Sequence, residues 1–277
     1  MSSVITHSKV KIEYEVFGKA SASPLLLIQG LGAQMIGWPV NFCQNLASAG
    51  FYVILFDNRD VGLSQKFPED TYSLGDMAID AAELLEALGI CAAHIVGQSM
   101  GGMIAQHMAN LFPEKMLSLT LFYTCAQNIH IRGAEVLAKR EDMPAARSRK
   151  EAADMYVIAE QSCGSPAYAT DEEHLHKIGG LMWDRGYYPE GVLRQRAAIN
   201  ADPDRRGLLS NVTCPVLILH GDRDQLISDE GARDLQRVMP DAVLHIYPGM
   251  GHQLPPDLWE DMITRLKKNA FIENKEL

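Results

Sequence analysis

Six short runs of mostly apolar residues punctuate this chain, at 24–28, 51–56, 93–96, 117–123, 215–219 and 243–247. They leave little choice of fold. A strand with one solvent face alternates in residue type, whereas a strand buried on both faces need not. Only the segment 11–16 (Lys11-Ile12-Glu13-Tyr14-Glu15-Val16) alternates. Helical periodicity fills the intervals at 38–49, 74–88, 100–111, 229–238 and 258–271. Alternating strands and helices predict an α/β fold: a mostly parallel, twisted sheet of about eight strands, right-handed crossovers, and helices on both faces. The opening segment is expected to form an antiparallel edge.

One stretch breaks the rhythm. Residues 125–211 hold no strand-like run, only helical patterns at 133–139, 150–161, 171–182 and 190–201. The reading is a core of residues 1–124 and 212–277 with a helical cap, or lid, inserted at 125–211. Caps of this kind close over a site and define what fits. With 277 residues, 47% hydrophobic and 22% charged, the core needs neither disulfide nor metal. A net charge of −10 argues against a nucleic-acid partner. Cys43, Cys91, Cys125, Cys163 and Cys214 are scattered and never in C-x-x-C spacing, as in a reduced protein. Neither a signal peptide nor a membrane span is recognisable, so a cytoplasmic location is expected, with no membrane partner. Homodimerisation stays open, since no residue marks an interface.

The chemistry concentrates at Gly97-Gln98-Ser99-Met100-Gly101-Gly102. An apolar run leads in and a helical run leads out, so Ser99 sits at the apex of a strand-turn-helix elbow of the form G-x-S-x-G. A serine hydroxyl becomes a useful nucleophile when a turn exposes it and a base can reach it. The base needs an orienting acid. Asp224 follows the run at 215–219 and His252 follows the last run. Both therefore fall in loops at the carboxyl edge of the sheet, where open α/β folds bind ligands. His252 is expected to act as general base and Asp224 to orient it. Asp222, within the tight turn, is read as making a local turn hydrogen bond. The oxyanion would be met by the N–H of Met100, at a helix N-terminus, and that of Leu31, in the loop after the first apolar run. No zinc signature and no phosphate-binding loop is present, so neither metal nor cofactor is expected.

Gln29-Gly30-Leu31-Gly32, Asp57-Asn58-Arg59-Asp60-Val61-Gly62-Leu63-Ser64, the elbow, His220-Gly221-Asp222-Arg223-Asp224 and Gly251-His252 together resemble the motifs of α/β-hydrolase fold enzymes, in order and over essentially the whole chain. Gly37-Trp38-Pro39 with Asn58-Arg59-Asp60-Val61-Gly62 resembles the aclacinomycin methylesterase group, whose members cleave a methyl ester on an anthracycline polyketide. The family's common His-Gly in the oxyanion loop is Gln29-Gly30 here, and its common Arg-Gly is Arg59-Asp60, a feature of the methylesterase-like branch. The resemblance implies a serine carboxylic-ester hydrolase working through an acyl-enzyme on a small-to-medium, mainly apolar ester, a methyl ester being one option. Related scaffolds run C–C bond hydrolysis, perhydrolysis or lyase reactions, and some plant hormone receptors share the fold. Dehalogenases and epoxide hydrolases resemble elbows with Asp in place of Ser99.

In the cap, Met155, Tyr156, Met182, Trp183, Tyr187 and Tyr188 are candidates to line the substrate pocket, with packing of cap on core as the competing role of each, and Trp38 is read as core or a wall of the entry. Arg59 and Asp60 are read as a structural ion pair or loop anchor. His174, His176 and His220 are read as structural.

Overall fold

Each apolar run becomes a strand. The computed structural model describes residues 1–132 and 145–271. Its strands are β1 (Ser2–Ile5), β2 (Lys11–Phe17), β3 (Ser23–Ile28), β4 (Phe51–Phe56), β5 (Ala93–Gln98), β6 (Met116–Phe122), β7 (Val216–Gly221) and β8 (Val243–Tyr247). They form one eight-stranded sheet in the order 1-2-4-3-5-6-7-8. The pairings β1–β2 and β2–β4 are antiparallel, and all others are parallel. The chain passes from β3 to β4 on one side, then crosses to β5 on the other. That reversal is a topological switch point, and it opens a crevice at the carboxyl ends of β3 and β5.

Burial follows the pleat. Leu25, Leu26, Leu27 and Ile28 of β3 are all fully buried, yet alternate members belong to different cores. Leu26 and Ile28 pack with Met77 and Leu84 of α2 (Leu74–Ala87) and Ile104 of α3 (Met100–Leu111). Leu25 and Leu27 pack with Phe42 and Leu46 of α1 (Val40–Ser48) and Met262 and Leu266 at the carboxyl end of the chain. Successive strand side chains point to opposite faces, so the uninterrupted apolar runs reflect two covered faces. Ser73 and Asp76 close a reciprocal capping box on α2. α1 begins at Val40 rather than at 38, because Trp38 precedes a proline and is held extended at ψ 120°. β1 was not anticipated: it is a four-residue, largely exposed edge strand with no burial pattern.

Between β6 and β7 the described residues hold α4 (Arg149–Ser162), α5 (Glu172–Gly186), α6 (Pro189–Ala201) and the short α7 (Arg206–Leu209). The expected helix at 133–139 lies outside the described residues. α5 continues four residues past its expected end and stops where Gly186 takes φ +129°. α8 (Asp229–Val238) and α9 (Trp259–Ala270) complete the fold. Among the described residues no helix is long and apolar enough to cross a membrane.

Polar anchors join the helices between β6 and β7 to two loops at the carboxyl edge. Arg185 of α5 donates from Nη2 to Asp57 Oδ2 at 3.0 Å and from Nη1 to Gln34 Oε1 at 2.7 Å. Arg194 of α6 pairs with Asp60 at 2.8 Å. Gln195 accepts from the Gly32 N–H at 2.8 Å and donates to the Arg59 carbonyl at 2.9 Å. Arg59 and Asp60 are thus anchors, but not to each other: Arg59 makes a bidentate pair with Asp80 at 2.6 and 2.9 Å. Burial alone would raise the Asp60 pKa; Arg194 and the Phe67 N–H outweigh it and hold the carboxyl below its ordinary value.

Two outcomes follow from these contacts. Asp57 is fully buried, so Arg185→Met should lower unfolding stability by about 3 kcal/mol in urea titration. Adding Asp57→Asn should recover much of that loss; an additive result would show that the pair is not coupled. His94 of β5 lies between Ser118 Oγ at 2.8 Å and Ser23 Oγ at 3.1 Å, and burial lowers its pKa from 6.5 to about 4. The unfolded chain protonates this ring first, so stability should fall as pH drops from 6.5 to 4, by at most ~3 kcal/mol. His94→Gln should flatten that limb of the stability profile.

Candidate functional site

At the end of β5 the chain reverses into α3 within one residue. Ser99 holds φ 54° and ψ −123°, a region that costs a non-glycine residue on the order of 1–3 kcal/mol. The glycines around it allow backbones to touch. A Cβ on Gly97 would collide with the Gly101 carbonyl, and one on Gly101 with the Ile28 carbonyl of β3. The Ser99 N–H donates to the Phe122 carbonyl at 3.0 Å. Its own carbonyl accepts from the Gly102 and Met103 N–H groups and from Thr124 Oγ1 at 2.8 Å. With its backbone bound, the residue presents its hydroxyl at the carboxyl edge.

The turn after β7 separates two carboxylates. Asp224 Oδ1 accepts from the Leu226 and Ile227 N–H groups at 2.8 and 2.9 Å. Its Oδ2 lies 2.7 Å from His252 Nδ1. Burial would raise the Asp224 pKa, but the facing His252 and His220 and the backbone N–H of Ile227 together hold it below the ordinary carboxylate value. Asp222 does not stay local as expected: its Oδ1 accepts from the Gly249 N–H at 2.6 Å, tying the acid turn to the histidine loop. His220 is buried beneath, with Nε2 3.0 Å from the Ile227 carbonyl, and burial lowers its pKa.

His252 follows β8. Its N–H donates to the Cys163 carbonyl at 2.8 Å, and the Gly251 N–H donates to Ser165 Oγ at 2.9 Å. The loop is thereby tied to the end of α4. Because Nδ1 faces Asp224, Nε2 is the ring nitrogen left to exchange a proton. Tyr123, at the end of β6, packs its ring 4.6 Å from the imidazole. Ser99 and His252 line one cavity of about 560 Å³. Met100 is the first residue of α3, where backbone N–H groups lack helical acceptors. Leu31 lines the same cavity, in the loop running beside Ser99: a Cβ on Gly30 would lie 3.2 Å from the serine Cβ. Among the described residues neither of these two N–H groups has a protein acceptor.

Of the expected lining residues, Tyr156 is on the cavity wall and the others are not. Trp38 is a core residue, 1% exposed and stacked on Phe42 at 6.1 Å, and does not reach the cavity. Met155 is not part of the wall. Its neighbour Tyr156 is, and consecutive helical residues point about 100° apart. Trp183 and Tyr187 stack on each other at 5.0 Å, and the Tyr187 hydroxyl accepts the Ala146 N–H at 2.8 Å. Met182 lies against Gly37 outside the cavity lining, its carbonyl accepting from Gln34 Nε2 at 2.7 Å. Sequence reasoning missed Tyr123, Glu160, Tyr168, His174, Leu175, Ile178 and Trp259, which line the cavity instead. The spacing of His174, Leu175 and Ile178 on α5, three and four residues apart, was the available signal for one face.

Residues 23–256 match the model of the alpha/beta hydrolase fold, and the chain belongs to that family; it is a hydrolase. It is 30% identical to the rhodomycin D methylesterase DauP of Streptomyces sp. (strain C5), over 95% of this chain and 96% of that protein. It is 28% identical to a 2-hydroxy-6-oxononadienedioate/2-hydroxy-6-oxononatrienedioate hydrolase of Pseudomonas sp., over 82% of this chain and 81% of that one. Among solved structures, a thermophilic esterase from Thermogutta terrifontis superposes with a TM-score of 0.75 at 25% identity, covering 98% of this chain and 99% of that chain. The resemblance to the methylesterase branch read from the motifs agrees with the first of these.

The acid assignment has a direct check. Asp224→Asn should lower kcat on the order of 10⁴-fold, because the amide favours the wrong imidazole tautomer. Asp222→Asn, which leaves the His252 contact in place, should cost less than about tenfold. The reverse ranking in steady-state kinetics would make Asp222 the acid.

Proposed function

We propose that this protein is a serine carboxylic-ester hydrolase acting through an acyl-enzyme, with Ser99 as nucleophile, His252 as general base and Asp224 as its orienting acid. The observation that carries the reading is the 2.7 Å contact from Asp224 to His252 on a cavity shared with a serine held at φ 54°. In this scheme Ser99 Oγ attacks the ester carbonyl while His252 Nε2 takes its proton. The carbonyl oxygen becomes an oxyanion facing the Leu31 and Met100 N–H groups, each such donor contributing about 2.7–4 kcal/mol. His252 then protonates the departing alkoxide, the acyl group stays on Ser99, and water activated by the same imidazole releases the acid. The helices of segment 125–211 act as a cap, with Tyr156, Leu175 and Ile178 as apolar wall.

The similarity to a methylesterase supports a small alcohol as leaving group. The similarity to a hydrolase of a dienedioate raises C–C hydrolysis of a dicarboxylate as a second reading. Electrostatics disfavours it. Glu160 and Asp171 line the cavity, and among its described residues there is no Lys or Arg to receive a carboxylate. An uncharged ester fits better than a dianion.

The test is turnover of p-nitrophenyl esters of graded acyl length, together with the dimethyl and monomethyl esters of one dicarboxylic acid. Ser99→Ala should abolish turnover while keeping the wild-type circular dichroism and melting temperature. The dimethyl ester should exceed the half-acid in kcat/KM by about tenfold, as expected for one desolvated like-charge contact. Full activity of Ser99→Ala would remove the triad assignment, and preference for the half-acid would restore the dicarboxylate reading.

A further inference from the structure

Tyr123 shares the backbone strain of Ser99. It follows β6 directly and holds φ 35°, a region in which a bulky side chain is a rare outlier. Strain of this kind persists only where the surroundings overdetermine it, and it collects at functional sites. The two positions are held by the same device. The Ser99 N–H donates to the Phe122 carbonyl of β6, and the Tyr123 N–H donates to the Leu219 carbonyl of β7 at 2.8 Å. The far end of the side chain is fixed as well. The phenol hydroxyl donates to Gln98 Oε1, and Gln98 Nε2 donates to Gln29 Oε1. Burial pushes the phenol well above the ordinary tyrosine pKa, so the ring stays neutral. Pinned at both ends, it lies with its centroid 4.6 Å from that of the His252 imidazole, the two planes inclined at 56°.

We infer that Tyr123 is a positioning residue for the general base: its fixed ring walls in the His252 imidazole and stabilises the imidazolium that forms when Ser99 gives up its proton. This inference rests on the ester-hydrolase reading. Asp224 holds the imidazole by one edge, through Nδ1, and a single hydrogen bond leaves a ring free to swing about it. A rigid wall 4.6 Å away limits that swing. The wall is also aromatic, and the negative face of an aromatic ring attracts a cation within about 6 Å of its centroid. The imidazole is neutral while the base waits and cationic once it has taken the proton. The attraction is therefore stronger in the transition state than in the ground state, and only such differential binding accelerates the step. Other titratable groups surround the base: Asp224 at Nδ1, His220 behind that carboxylate, Cys163 and Glu160 at the end of α4, and Asp171 and His174 on the cavity wall. A substitution at Tyr123 leaves all of them in place, so their fields cancel when variants are compared.

The test is the pH profile of kcat/KM for p-nitrophenyl butyrate, normalised by active-site titration, in the wild type, Tyr123→Leu and Tyr123→Phe. Tyr123→Leu removes the ring, whereas Tyr123→Phe keeps it and gives up only the hydroxyl. The acid limb of this profile reports the base in the free enzyme. The ring favours the protonated imidazole, so without it the base sheds its proton at lower pH. In Tyr123→Leu the acid limb should move down by about one pH unit and the plateau should fall on the order of tenfold, one cation–π contact expressed twice. Protonated free enzyme and transition state lose the same contact, so the two profiles should converge at acid pH. Tyr123→Phe should recover the limb and most of the plateau. A Tyr123→Leu profile lowered by one factor at every pH would overturn the inference and leave Tyr123 as a packing residue. A tenfold loss in Tyr123→Phe would overturn it too, whether or not Tyr123→Leu folds. Wild-type turnover that disappears in Ser99→Ala upholds the ester reading whichever way the profiles move. Absence of wild-type turnover overturns that reading and this inference with it.

Discussion

The strained backbone of Ser99 is the constraint around which the rest of the site is arranged. A φ of 54° at a serine persists only where the surroundings overdetermine it. Here β3, β5, β6 and α3 all converge on the residue. Gly97 and Gly101 let the backbones of β5, α3 and β3 meet, Phe122 of β6 takes the serine N–H, and three donors take its carbonyl. A parallel sheet then brings the loops after β3, β7 and β8 to the same edge. Leu31, Asp224 and His252 thus reach the edge that carries Ser99 from parts of the chain far from it in sequence, while Met100 is its immediate neighbour.

The wall over that edge is tied to the same loops that carry the chemistry. Gln195 holds the Gly32 N–H next to Leu31, and Arg185 grips Asp57, whose other donors are the Met35 and Leu63 N–H groups. A buried ion pair is weak evidence for net stability, because desolvation offsets much of its attraction. Its stronger effect is geometric: a fully buried carboxylate with four N–H donors tolerates few positions of the helix that supplies two of them. Residues that shape the cavity and residues of the loop around Leu31 are therefore displaced together.

What could be read from the sequence divides along a physical line. Strand positions, the core helices and the loops bearing Ser99, Asp224 and His252 follow from short-range pattern: apolar runs, periodicity and turn residues. β1 was missed because an exposed edge strand of four residues has no such pattern. The cavity wall was read poorly for a related reason. Aromatic residues on a helical insertion are equally suited to packing and to lining, and only the rotation of each helix decides. Tyr156 faces the cavity where Met155 does not, and Trp183 and Tyr187 satisfy one another by stacking. Long-range polar pairings such as Asp57–Arg185 and Asp60–Arg194 span more than a hundred residues, and no local signal announces them.

The departure at Gln29 gains meaning from the same geometry. A neutral imidazole offers one acceptor nitrogen and one donor nitrogen, and protonation removes the acceptor. A primary amide accepts two hydrogen bonds on its oxygen while offering two donors on its nitrogen, at any pH where the enzyme is folded. Gln29 uses this full capacity on the oxygen side, taking both Gly30 and Gln98. The Gln98–Tyr123 link then carries the network to the ring that packs on His252. An imidazole at position 29 could accept from one of these groups but not both, and protonation would remove even that acceptor. With the amide there, the polar frame around Ser99 has no titrating group at position 29 and keeps these hydrogen bonds at any pH where the protein is folded.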